Sequence, residues 1–258
     1  MPEKTECKSC LFLQQCDYPY LFEGVKPLNA QNTKSSPDIP APHIFKTVTE
    51  QTANQQLISI SVILLGKATQ RLSVLIEAMA LAGSNGIGKS RIPLELMQVK
   101  QKSHPLSQLI LENDILYKAL PAHSPLIPDA PPAIQLLFKT PYRSNKADFD
   151  KVFFLMQIIR RVSSIQNFYT SRPLIADFKH LKILANKADV DAAVYSQQDS
   201  RYSARHQREL DTSGFMGKIT INMKGMETLW PYIYLGQWLH VGKNASFGYG
   251  RYELLSVS

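Results

Sequence analysis

The chain has 258 residues, 44% hydrophobic and 19% charged, enough for two domains of about 100 residues each and too apolar for wholesale disorder. Its formal net charge of +8 favours a polyanionic partner, nucleic acid before acidic membrane. No apolar run is long enough to span a bilayer, so a membrane protein is not expected.

The first residues, MPEKTECKSC, carry charges without an apolar core, so no signal peptide is expected and a reducing cytoplasm is the expected compartment. All three cysteines, Cys7, Cys10 and Cys16, fall in this segment, spaced C-x2-C-x5-C. In a reducing compartment such a cluster reads as a metal site before a disulfide, and structural zinc is the candidate. Tetrahedral zinc needs four ligands, and His43 or Asp17 is available as the fourth. The alternative is three free thiols in a small packed lobe, and a zinc-stabilised lobe docking a protein partner is a further reading.

Residues 1–50 read as an irregular Cys- and Pro-containing extension packing on a first domain at 51–130, with a short extended piece at 43–48. Residues 57–65 alternate Ser59 and Ser61 with Ile58, Ile60 and Val62, the period of a half-buried strand. From Ala68 the period changes: Leu72, Leu75, Ile76 and Met79 make one helical face, stopped by Gly83 and Gly86. Residues 91–99 then read as strand. Residues 121–132 contain five prolines and form the connection to a second domain at 131–258.

In that second domain 133–140 reads as a strand, and 147–168 as the longest helix, capped by Ser144 or Asn145. Residues 171–197 give mixed signals. The polar segment 201–211 is one arm of a hairpin returning as strand 217–223. A helix capped by Thr228, with Pro231 in its first turn, runs to about Gly242. A Gly-rich loop leads into a final strand at 249–257. The order β-α-β-β-α-β is ferredoxin-like, and the first half matches part of it.

Two loops echo each other. The early one, GSNGIGKSRIP, has Gly86, Gly88 and then Lys89; the late one, GKNASFGYGRYE, has Gly248, Gly250 and then Arg251. Glycine lets backbone amides approach phosphate closely, so a cationic glycine loop beside a sheet suits a phosphodiester chain. Neither loop has Walker spacing or leads from strand into helix, which argues against a small-nucleotide enzyme. The binding candidates are Arg201, Arg205 and Arg208, Gly242, Lys243, Phe247, Gly248, Gly250 and Arg251, with Lys89 and Arg91 at the early loop. Tyr202, Phe247 and Tyr249 are candidates to stack on unpaired bases.

Three segments, HVGKNASFGYGRYEL, RYSARHQRELDTSGFMGKITI and CKSCLFLQQCDYPYLFE, carry a resemblance. In this order the chain resembles the CRISPR-associated precursor-crRNA-processing endoribonucleases of the RAMP superfamily. The resemblance implies an α+β chain of two tandem ferredoxin-like (RNA-recognition-type) domains behind the small Cys-containing extension, with a basic cleft between them. It implies binding of a CRISPR repeat stem-loop and metal-independent attack by a ribose 2′-OH, leaving a 2′,3′-cyclic phosphate. It also implies retention on the crRNA and company with other subunits of an effector complex.

Cleavage of that kind needs a base for the 2′-OH, an acid for the leaving oxygen and cations for the phosphorane. Several members place a catalytic histidine near the first helix, but residues 67–82 contain none. His206, between Tyr202, Arg205 and Arg208, is the first candidate, with Tyr202 beside it; its alternative is a phosphate or base contact. His240, at helical spacing from Leu229, Ile233 and Gly236, is the second, its alternative being a buried structural role. A non-catalytic crRNA-binding subunit is the alternative function. Arg160 and Arg161 read as the solvated edge of a helix.

Overall fold

A computed structural model describes residues 7, 10–24, 39–51, 56–88, 90–103, 106–112, 115–171, 174–203 and 207–255. The chain divides into two compact units. Unit 1 comprises residues 1–68, 127–201 and 211–258; unit 2 comprises residues 69–126 and 202–210.

In chain order, β1 (His43–Gln51) and β2 (Gln56–Leu64) form an antiparallel hairpin, and a 3-10 turn leads into α1 (Leu72–Ser84). There follow β3 (Gln98–Ser103), β4 (Leu106–Glu112) and β5 (Ile115–Leu116), one antiparallel sheet. The helix expected from Ala68 thus begins four residues later. The strand expected at 91–99 begins only at Gln98. Pro93 has no amide to donate, and Leu94 N instead donates to Gly83 O (2.9 Å), folding the segment back on the end of α1.

The second half runs β6 (Ala133–Phe138), α2 (Lys151–Tyr169), α3 (Phe178–Lys187), β7 (Val190–Gln197), β8 (Ser200–Ser203), β9 (Arg208–Asp211), β10 (Gly214–Asn222), α4 (Trp230–Leu239) and β11 (Tyr252–Leu255). Its sheet has the order β11-β6-β10-β7, antiparallel throughout, with β6 and β10 central. That is the expected ferredoxin-like order with one extra helix, α3. The hairpin arm read at 201–211 is itself two short paired strands, β8 and β9, and the strand that returns, β10, pairs with β7. In the first half the strands are divided between a two-stranded and a three-stranded sheet.

One face of the four-stranded sheet is apolar because alternate residues point the same way. Ile134, Leu136 and Phe138 of β6, with Phe215, Ile219 and Ile221 of β10, lie against Phe154, Ile158, Val162 and Ile165 of α2 and against Tyr232 and Ile233 of α4. Ile44 of β1 joins this core. Each fully buried side chain of this size contributes roughly 1.5–3 kcal/mol. Gly236 is the contact residue of α4: a Cβ there would lie 2.2 Å from the Tyr252 hydroxyl, which donates to Ile233 O (2.6 Å).

Helix α2 starts at Lys151, not Ala147. Its N-cap is Asp150, whose carboxylate accepts from Phe153 N (2.9 Å), while Ser144 closes a local turn by accepting from Lys146 N (2.9 Å). An aromatic cluster holds the segment before it. Tyr142 stacks on Phe138 (5.6 Å between ring centres), meets Phe149, Phe154 and Phe215, and donates its hydroxyl to Gln157 Oε1 (2.7 Å). Thr228 caps nothing by its side chain; Glu227 accepts from Gly225 N instead, and Pro231 sits within the first two positions of α4 as expected. No described helix is long and apolar enough to cross a membrane.

Candidate nucleic-acid interface

The late Gly-rich loop, between α4 and β11, is built onto the segment that leaves β6. Val241 N donates to Gly250 O (3.1 Å), Gly250 N to Pro141 O (2.9 Å) and Lys243 N to Arg143 O (2.9 Å). Thr140 is the central tie: its Oγ1 donates to Gly248 O (2.7 Å) and accepts from Arg251 N (2.9 Å). Gly250 has φ +66, and a Cβ there would lie 1.7 Å from Val241 O, so both the backbone conformation and the space demand glycine. The loop's 3-10 turn, Ala245–Phe247, sits beside β1, since a Cβ on Gly248 would meet Phe45 O at 2.9 Å. The final strand therefore starts at Tyr252, three residues later than the sequence pattern indicates.

This frame sets cations against aromatic rings, with Phe247, Lys243 and Arg201 exposed and Arg143 and Tyr249 half-buried. Phe247 is 62% exposed, with the Arg201 guanidinium 5.9 Å from its ring centre. The Arg143 guanidinium lies 5.4 Å from the Tyr249 ring and donates to Asp211 O (2.5 Å). Lys243 is exposed. Arg251 turns along its own strand instead and is ion-paired with Glu253, which also meets Lys139 at 3.8 Å. Arg143, which the sequence pattern does not single out, thus stands where Arg251 was expected. No short-range pattern marks it; the aromatic packing of Tyr142 places it.

Behind the loop lies a half-buried cation. Arg161 is not a solvated edge: its Nε donates to Leu239 O (3.2 Å) and its guanidinium to Ser246 Oγ (3.3 Å), tying α2 to both ends of the α4–loop junction. Burial pulls its pKa down to about 10. The helical register is the signal for it, because Arg161 is three residues from Ile158 and four from Ile165, both buried. Arg160, its neighbour, is exposed as expected.

His240 caps α4 with φ +55 and is 2% exposed. Burial, then the charges of Arg251 and Arg161, hold its pKa at about 4, against a smaller opposing contribution from the Ala245 backbone. It is an enclosed imidazole, neutral at ordinary pH. His43 is equally buried, between Phe22 and Phe45, and burial with Arg161 also lowers its pKa. His123 and His180 are exposed. Among the described residues no two histidines form an exposed acid–base pair.

Other candidates fall in unit 2, in the N-terminal segment of unit 1 or outside the described residues. Tyr202 is partly exposed and donates its hydroxyl to Gln207 Oε1 (3.1 Å); Arg208 is exposed. His206 and Arg205 lie outside the described residues, as do Lys89 and His104. Arg91 is exposed, in a turn closed by paired bonds between Ile87 and Ile92. Cys7 and Cys10 are half-buried and Cys16 exposed, none in a disulfide, and among the described residues no group of three His, Cys, Asp or Glu is placed to hold a metal ion.

Comparison with protein families adds the decisive observation. The model described as CRISPR-associated endoribonuclease Cas6 matches residues 124–252, half of the chain and all of the loop just described. The chain belongs to the Cas6 endoribonuclease family. A second model, AF_1859_N, an N-terminal domain, matches residues 1–124. No curated protein matches. Among solved structures, the Cas6 (TTHB231) product complex, a protein of Thermus thermophilus, is similar over 86% of this chain and 83% of its own, at 14% identity and a TM-score of 0.55. The Cas6 (TTHA0078) product complex is similar over 88% of this chain and 86% of its own, at 16% identity and a TM-score of 0.48. The α+β, tandem ferredoxin-like class read from the sequence is the fold of the Cas6 family.

Proposed function

We propose that this Cas6-family chain binds a CRISPR repeat RNA on the late Gly loop and cuts it without a metal ion. The observation that carries the reading is the stitched loop. It holds Phe247 beneath Arg201 and Tyr249 beneath Arg143, with Lys243 exposed, a rigid frame offering cations to phosphates and a ring to an unpaired base. A structure of similar fold is described as a product complex, which fits an RNA ligand here.

In the proposed reaction the ribose 2′-oxygen forms a bond to phosphorus while the P–O5′ bond breaks. The 2′-proton passes to a base and a second proton reaches the leaving 5′-oxygen, giving a 2′,3′-cyclic phosphate and a 5′-OH. His206 is the proposed base, with Tyr202 in support. His240 is withdrawn to a supporting role, because a buried imidazole with a pKa near 4 is a poor partner for either transfer at neutral pH. Retention of the cut RNA, within an effector complex, completes the reading.

The burial of both described histidines of unit 1 that flank the loop, His43 and His240, favours a second reading, an RNA-binding subunit that does not cut.

The test is incubation of the purified chain with its repeat transcript in EDTA. Cleavage with a cyclic-phosphate end, abolished in His206→Ala with binding kept, supports the first reading. Cleavage only with added magnesium, or a 3′-OH product, overturns the mechanism. Tight binding with RNA recovered intact supports the second. In either case Arg143→Ala and Arg201→Ala are each expected to lower the slope of log K against log salt by about one phosphate contact.

A further inference from the structure

Asp211 is an exposed carboxylate set among the cations of the late loop, all of them in unit 1. It ends β9, and Thr212 N donates to Asp199 O (2.9 Å), so the foot of β9 lies beside that of β8, where the Arg201 guanidinium is 5.9 Å from the Phe247 ring. Its own carbonyl accepts from the Arg143 guanidinium (2.5 Å), and Arg143 O accepts from Lys243 N (2.9 Å). The carboxylate is fixed in place: Oδ1 accepts from Ser213 N (2.8 Å), and Ser213 Oγ in turn accepts from Asp199 N (3.0 Å). Hydrogen bonding to Ser213, with the Arg143 and Lys243 charges adding to it, holds the carboxyl below the usual carboxylate range, so it is ionised at neutral pH. Glu253 is taken up by Arg251 and Lys139, whereas Asp211 forms no ion pair among the described residues. Arg143 Nε is buried and finds no hydrogen-bond partner among the described residues, a donor left over for a ligand oxygen.

A carboxylate on a phosphate-binding face repels the RNA backbone, so its use lies on another part of the nucleotide. An ionised carboxylate only accepts hydrogen bonds, and each oxygen takes two, so the bond from Ser213 leaves both able to accept. Guanine presents two adjacent donors, N1–H and the 2-amino group. Adenine and cytosine set their amino donor beside an acceptor, and uracil sets one N–H between two carbonyls. Guanine alone therefore matches both carboxylate oxygens, and hydrogen bonds to an ionised acceptor are the strong ones. An unpaired base is read on that edge while its face lies on a ring, and the Phe247 ring is 62% exposed. We propose that Asp211 selects an unpaired guanine of the bound RNA, its two oxygens accepting from N1–H and the 2-amino group. This selection rests on the RNA reading and adds to it a base preference that phosphate contacts do not supply.

Fluorescence anisotropy of the full chain at fixed salt tests this, with short labelled oligouridine strands that carry one internal guanosine, inosine or adenosine. The strands bear 2′-fluoro groups, so they cannot be cut by a 2′-oxygen, and circular dichroism confirms that each variant folds. The guanosine strand is expected to bind about tenfold more tightly than the inosine strand, which lacks the 2-amino group, and than the adenosine strand. Asp211→Asn keeps an oxygen for Ser213 N but removes the charge and offers a donor where guanine also donates. In that variant the preference is expected to shrink to within about twofold, while the plain uridine strand binds more tightly because a repelling charge is gone. A variant that loses all three strands equally would show a structural role and overturn the proposal, and so would a guanosine preference kept in Asp211→Asn. Equal binding of the three strands by the native chain overturns the guanine selection and leaves the RNA reading standing. Binding of none of them, nor of the repeat transcript, overturns both.

Discussion

The early and late glycine loops share a Gly-x-Gly-cation pattern and end as different objects. The early one is a turn of unit 2, closed by two backbone bonds between Ile87 and Ile92, and a Cβ on its Gly88 would meet nothing within 4 Å. The late one is held by hydrogen bonds to its surroundings and within itself, among them those of Val241, Lys243, Gly250 and both sides of Thr140. The residues flanking each loop decide the outcome. Thr140, Pro141 and Arg143 leave β6 beside the late loop, and the Tyr142 aromatic cluster keeps them there. The Cas6 family model reaches over the late loop and leaves the early one outside.

Four measurements break or sharpen this contrast. The largest effect is expected for Gly250→Ala, which adds a Cβ 1.7 Å from Val241 O at φ +66. A loss of about 3 kcal/mol or more, a fall in Tm of roughly 6–12 °C, is expected by thermal melting. An unchanged Tm would mean that the late loop is as loose as the early one.

Next comes the pH dependence of the imidazole at the loop's base. His240 is neutral when folded, with a pKa near 4, and ordinary when unfolded. Below about pH 6.5 the unfolded chain takes up a proton that the folded one refuses, so stability falls with pH from there down to about 4. The contribution is on the order of 3 kcal/mol. Denaturant titrations between pH 4 and 7 should show a shallower slope for His240→Asn than for the native chain. His43, whose pKa is lowered in the same direction, contributes to the remainder. Identical slopes would show that His240 protonates freely in the fold.

A smaller effect, about 1–3 kcal/mol, is expected for Thr140→Val, which leaves Gly248 O and Arg251 N without their shared partner. Denaturant midpoints measure it, and a neutral result would remove Thr140 as the central tie. Smallest is Gly88→Ala, where the positive φ alone acts, about 1 kcal/mol; a loss as large as that of Gly250→Ala would erase the distinction.

Much of the C-terminal half was legible from periodicity. The strand read at 133–140, which the structure ends at Phe138, the long helix and the ferredoxin-like order all follow from alternation, helical spacing and breakers. Boundaries were less legible where a side chain chose between equivalent roles. Ser144 and Asp150 are both good caps, and the structure uses Asp150 because the aromatic cluster holds residues 141–149 out of the helix. For the site, Phe247 and Lys243 were readable as aromatic and polar residues near glycine, and Arg201 as one of a cluster with Arg205 and Arg208. Arg143 and Thr140 were not, because their roles depend on contacts about 100 residues away.

Local order therefore came from the chain itself: which segments pair, which helix faces are apolar, and where glycine is needed. The partners of individual polar groups were decided only by the tertiary structure. Charge and residue type do not say whether a guanidinium meets solvent, a ring, a carboxylate or a buried carbonyl. Arg201, Arg143, Arg251 and Arg161 meet those last three differently because the sheet and α2 bring distant carbonyls, rings and one glutamate within reach. Placement, and not composition, sets how much of each charge is left for a phosphate.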